Sequence, residues 1–92
     1  MRIEWLPEAV RNLNTQLAYI GEHNPAAAID IGDAIEASVS RLAEFPESGR
    51  PGRVPGTREL VVTGTPFIVV YRIEAAALAI LRVLHGAQQW PP

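Results

Sequence analysis

Two stripes of apolar residues at helical spacing, parted by an Asn-Pro pair, constrain this 92-residue chain more than any other feature. Leu6, Val10, Leu13, Leu17 and Ile20 recur at intervals of 4, 3, 4 and 3, which draws one face of a helix. Pro7 suits the first turn, where a missing N–H costs nothing, and Gly21 with Asn24-Pro25 ends the run. Asn24 can cap a second helix whose first turn again accepts a proline, Pro25. Ala28, Ile31, Ile35, Val39 and Leu42 form its stripe, with Asp30, Asp33 and Glu36 off it. Helices joined so closely predict an antiparallel hairpin whose apolar faces need a partner surface. His23, in the last turn of the first helix, reads as a capping or surface residue.

Strands supply that surface. Ile3 and Trp5 alternate with Arg2 and Glu4 in a short first strand. After Phe45-Pro46 the segment Gly49 to Gly56 holds three glycines and two prolines, which neither a helix nor a central strand tolerates, so a loop carrying Arg50 and Arg53 is expected. Three strands follow, at Arg58–Val62, Phe67–Ile73 and Leu78–His85, with a turn at Gly64-Thr65-Pro66 and a tail from Gly86. The last two are almost continuously apolar, as strands covered on much of both faces are. The order is β-α-α-β-β-β, an α+β domain over residues 1–92 in which a helical hairpin packs on a small antiparallel sheet.

The composition excludes several classes. At 48% hydrophobic and 20% charged, the chain is neither a disordered tail nor a disulfide scaffold, and with no cysteine it has no thiol chemistry. Two histidines, His23 and His85, are too few for an ordinary zinc site, so no metal or cofactor is expected. No apolar run reaches the length of a membrane span, and the N-terminus lacks the stretch of a signal peptide, so no membrane association and a cytoplasmic location are expected. The formal charge of −2 hides an asymmetry. Residues 1–49 carry eight acids against three arginines, and residues 50–92 five arginines against two acids. Lysine is absent. Either the helices simply carry acids and a loop arginines, or the molecule has one basic working surface.

Pairing Ile73 with Leu78 in the last hairpin sets Arg82 opposite Val69 and His85 opposite Pro66, a register that a one-residue slip would swap between faces. An arginine in an apolar strand needs either an acid or an open face; for Arg72, near the turn, exposure is expected. His85 with Arg58 and Arg82 can be written as a phosphodiester-cleaving set, but one histidine and scattered arginines are sparse equipment for it. The weak net charge and few aromatics also speak against sequence-specific nucleic-acid binding. No lysine-bearing phosphate loop, serine elbow or paired carboxylates occur.

The segments Trp5-Leu6-Pro7-Glu8-Ala9, Tyr19 to Ala27, Gly49 to Leu60, Pro66 to Arg72 and Ile80 to Gln88 with Trp90-Pro91, in that order, resemble the toxins of the RelE/ParE superfamily along the whole chain. The resemblance implies the family's fold, an N-terminal strand, a helical hairpin and a three-stranded C-terminal antiparallel sheet. It implies the toxin of a type II toxin–antitoxin module, neutralised by a ParD-like antitoxin. The ParE branch is associated with poisoning DNA gyrase and the RelE branch with cleaving mRNA in the ribosome; some members have lost toxicity. The missing lysine, Ile68 where nucleases carry a cation, and Gly49-Arg50-Pro51-Gly52-Arg53 favour the ParE branch, a gyrase poison without chemistry of its own. Partner-binding residues are then expected among Arg50, Arg53, Arg58, Arg82, His85 and Trp90; a nuclease would use Arg82 and His85.

Overall fold

The computed structural model describes residues 1–86 and 88–92; Ala87, part of the last family-like segment, lies outside the described residues. The elements run β1 (Arg2–Trp5), α1 (Pro7–His23), α2 (Pro25–Leu42), β2 (Arg50–Pro51), β3 (Arg58–Val61), β4 (Phe67–Ile73) and β5 (Ala77–His85). Both helices start on their prolines, and Asn24 caps α2 by accepting from the Ala27 N–H at 3.1 Å. His23 is exposed in the last turn of α1 against Tyr19. No described helix is long and apolar enough to cross a membrane.

The expected α+β architecture is present, with a larger sheet than the three C-terminal strands. Five strands lie in the order β1-β5-β4-β3-β2. β1 joins β5 in parallel, Arg2 beside Ala77 through Trp5 beside Ile80, so the sheet is mixed and not wholly antiparallel. A parallel neighbour needs a long crossover, and the helical hairpin begins that path. Arg50-Pro51 of the Gly/Pro-rich segment forms a two-residue edge strand on β3, where a proline's lack of an N–H is harmless.

α1 takes over where β1 stops. The Leu6 N–H still donates to the Ile80 carbonyl at 3.0 Å. One turn further on, Asn12 Oδ1 accepts from the Val83 N–H and Gln16 Nε2 donates to the Val83 carbonyl. Two side chains four residues apart on a helix thus continue the outer edge of the strand past β1, pairing both backbone groups of Val83.

The core lies between one face of the sheet and the hairpin. Ile35, Val39 and Leu42 of α2 and Ala9 of α1 pack with Val62, Phe67, Val69, Tyr71, Leu78, Ile80 and Val83. The α2 stripe is the expected one. The α1 stripe holds at Leu6, Leu13, Leu17 and Ile20, all half-buried, but Val10 is exposed, and Ala9, fully buried, and Gln16, half-buried, join the inward face beside it. Ala9 admits close approach to the sheet, and Gln16 is spent on β5, so neither marks that face by hydrophobicity.

A second anchor ties the segment after α2 to the sheet. The buried Tyr71 hydroxyl accepts from the Gly49 N–H at 2.9 Å and donates to the Pro46 carbonyl at 2.7 Å. Burial pushes its pKa up, against smaller opposing pulls from the Gly49 N–H and Arg58. A Cβ on Gly49 would stand 2.6 Å from that hydroxyl, so only glycine fits. Tyr71→Phe is expected to cost about 2 kcal/mol, the penalty for orphaning buried backbone groups. Gly49→Ala should cost at least as much through overpacking. Equilibrium urea unfolding of both variants checks this; wild-type midpoints would show the anchor to be idle.

Candidate functional site

The register of the last hairpin decides where the candidate residues lie. Ile73, Arg72 and Tyr71 face Leu78, Ala79 and Ile80 as expected, but the pairing then slips. Val70 pairs with Arg82 and Phe67 with His85, which leaves Leu81 as the extra residue of a β-bulge. Arg82 therefore faces Val70 and not Val69, and His85 faces Phe67 and not Pro66. The two exchange sheet faces relative to an unbroken register, and still lie on opposite faces. His85 is on the helix side, where its ring meets Phe67 edge-on at 5.7 Å. It lines an apolar groove of about 540 Å³ with Gln16, Tyr19, Ile20, Ile31 and Phe67.

Arg82 lies on the other face, in a row set by the ladder. Arg50 of β2 pairs with Glu59 of β3, Glu59 with Val70 of β4, and Val70 with Arg82 of β5. Arg72, two residues from Val70, shares this face and is exposed as expected, 3.5 Å from Glu74. Arg82 has no acid in ion-pair contact among the described residues. Its Nη1 donates to the Leu81 carbonyl at 2.7 Å, and its guanidinium lies 5.5 Å from the centre of the Trp90 ring. Glu8, ion-paired with Arg11, also feels it. The Arg11 hydrogen bond and charge are the main causes that lower the Glu8 pKa, and Arg82 adds to them.

Glu59 organises the loop end of the row. Its side chain is fully buried. The Arg53 backbone N–H donates to Oε2 at 2.8 Å, Arg53 Nε and Nη2 contact the carboxylate at 3.1–3.2 Å, and Arg50 Nη2 reaches Oε1 at 3.2 Å. Burial pushes the Glu59 pKa up, but the hydrogen bonds from Arg53 and Arg50 outweigh it and hold it at about 2. Arg58 points elsewhere and donates to the Glu47 and Gly49 carbonyls. The sequence-expected partner residues thus divide. Arg53 and Arg58 are spent on ordering the segment Glu47 to Arg53. Arg50 keeps 58% of its side chain exposed. Arg82 and Trp90 stack together, and His85 stands apart. Glu59 was the residue missed; its signal is a single acid inside an apolar strand, six residues after a loop arginine.

The family model for the ParE toxin of the type II toxin-antitoxin system, parDE, matches residues 3–90. The chain belongs to the ParE toxin family. It is similar to the putative toxin Y4kP of Sinorhizobium fredii, 47% identical over 90 residues that cover 98% of this chain and 93% of the relative. It is also similar to the toxin RelE1 of Caulobacter vibrioides, 30% identical over 83 residues covering 88% of each. Among solved structures, a chain of the chromosomal ParDE toxin–antitoxin system from P. aeruginosa superposes with a TM-score of 0.83 at 26% identity, covering 92% of this chain and 95% of that one. The ParE toxin described here is therefore a toxin of a type II toxin–antitoxin system.

The depressed pKa of Glu59 carries a pH signature. The carboxylate contributes stability that is present above its unfolded pKa and is lost as pH falls from about 4.3 through about 2. Glu59→Gln should lose about 3 kcal/mol at pH 7, and its deficit relative to wild type should shrink steadily below pH 4. Urea titrations at pH 7, 4 and 2.5 measure it; a deficit independent of pH would assign the loss to packing.

Proposed function

We propose that this ParE toxin acts by binding and not by catalysis, that it inhibits DNA gyrase, and that a ParD-like antitoxin neutralises it. The observation that carries this reading is the separation of Arg82 and His85 onto opposite faces of the sheet. Phosphodiester cleavage needs a proton-transfer group and a cation around one phosphorus. Here the histidine borders an apolar groove beside Phe67, and the arginine stacks on a tryptophan. What remains for a partner is a surface of planar guanidinium groups, suited to bidentate contact with protein carboxylates. Arg50 and Arg82 are its contact residues, with Trp90 stacked on Arg82, the Arg53 and Arg58 loop held behind them and His85 at the groove. The parDE description of the family and the ParDE neighbour support the ParD-like partner.

A second reading rests on the two RelE-named relatives of Caulobacter vibrioides, at 30% and 31% identity: ribosome-dependent mRNA cleavage through Arg82 and His85. The assays separate the two. Purified toxin at micromolar concentration should block supercoiling by gyrase, and Arg82→Gln should weaken the block about tenfold, the loss of one good interface arginine. Message in a translating extract should stay intact. Full gyrase activity together with codon-specific cuts that vanish in His85→Ala would replace the first reading with the second. The product of the adjacent small gene should co-purify with the toxin in either case.

A further inference from the structure

Trp90 sits on Arg82 in an arrangement that leaves both groups incompletely satisfied. The tail after β5 folds against Arg82 and Leu84, and with Glu8 and Asn12 of α1 encloses a cavity of about 270 Å³. The Trp90 indole N–H is buried and has no hydrogen-bond partner among the described residues. Buried tryptophan N–H groups ordinarily find an acceptor, and one that does not weakens the docking that buried it. Arg82 presents a fork of five donors, yet among the described residues its one hydrogen bond goes to the Leu81 carbonyl. A ring over a guanidinium holds it less firmly than a carboxylate that accepts two parallel hydrogen bonds.

We propose that Trp90 is a displaceable cover on Arg82, standing where a carboxylate from an acidic segment of a partner protein binds. The surroundings favour that ligand chemistry. Arg50 and Arg72, on the same sheet face, keep 58% and 47% of their side chains exposed. The acid at the centre of the row, Glu59, is saturated by Arg53 and Arg50. A segment crossing the sheet from Arg82 towards Arg50 therefore meets cations at both ends, and the departing indole regains water as an acceptor. The inference rests on the reading of this face as a protein-binding surface and adds the chemistry of the bound segment. Its test needs no gyrase, so the two fail separately.

The probe is a fluorescein-labelled hepta-glutamate peptide, titrated by anisotropy into the full chain at low ionic strength. Trp90→Ala should bind the peptide about fivefold tighter than wild type, because the competing ring is gone. Arg82→Gln should lose most of the binding, with far-UV circular dichroism confirming that both variants fold. In a Trp5→Phe background, unlabelled peptide should shift Trp90 emission to the red as the indole meets water. Equal or weaker binding by Trp90→Ala overturns the proposal, as does wild-type affinity in Arg82→Gln. A single-stranded oligonucleotide that binds more tightly than the peptide overturns the assignment to an acidic protein segment.

Discussion

Strand β5 must satisfy its backbone along both edges, and the way it does so arranges the molecule. One edge belongs to β4. The other is shared between β1, which pairs as far as Ile80, and α1, which serves Val83 through Asn12 and Gln16. The handover sets where the strand ends and the helix begins, and it presses the small Ala9 against the sheet as the one fully buried residue of α1. The hairpin then has one way to lie, with Ile35, Val39 and Leu42 over Val69, Tyr71 and Ile80.

The same strand divides the molecule's surfaces. The extra residue Leu81 turns Arg82 away from the helices and His85 towards them. An apolar groove thereby opens beside His85 on one face, and a cationic row forms on the other. A bulge next to functional side chains re-aims them without changing the strand order. Here it chooses which face each one takes, while their spacing of three residues along the strand keeps the histidine and the arginine on opposite faces; that separation is why the binding reading fits this fold better than a catalytic one.

The charge asymmetry acquires a structural meaning. Arginines of the Gly/Pro-rich loop first serve the protein itself, since Glu59 binds Arg53 through its backbone N–H and its guanidinium, and Arg50 through one nitrogen. A buried carboxylate left alone would be strongly disfavoured, so the loop closes on it and becomes ordered. The two readings of the basic half are therefore not exclusive: Arg53 and Arg58 hold the loop, while Arg50 and Arg72, ion-paired with Glu59 and Glu74, keep about half of their side chains exposed.

The sequence by itself determined the elements and their order, except for the two-residue edge strand β2. The stripes of α2, the Asn24 cap, the prolines at both helix starts and the apolar runs of β4 and β5 act over a few residues, where local sterics and period decide. The family-like segments reach further and mark the chain as a ParE toxin. Tertiary structure alone decided the placement of β1 beside β5, the burial of Ala9 in place of Val10, the burial of Glu59 and the faces of Arg82 and His85. Each depends on partners distant in the chain, as when the Gln16 amide donates to the Val83 carbonyl and Arg53 folds over Glu59. The bulge shows the limit most plainly, because one unpaired residue reverses which side of a sheet a side chain occupies, and no local preference at Leu81 announces it.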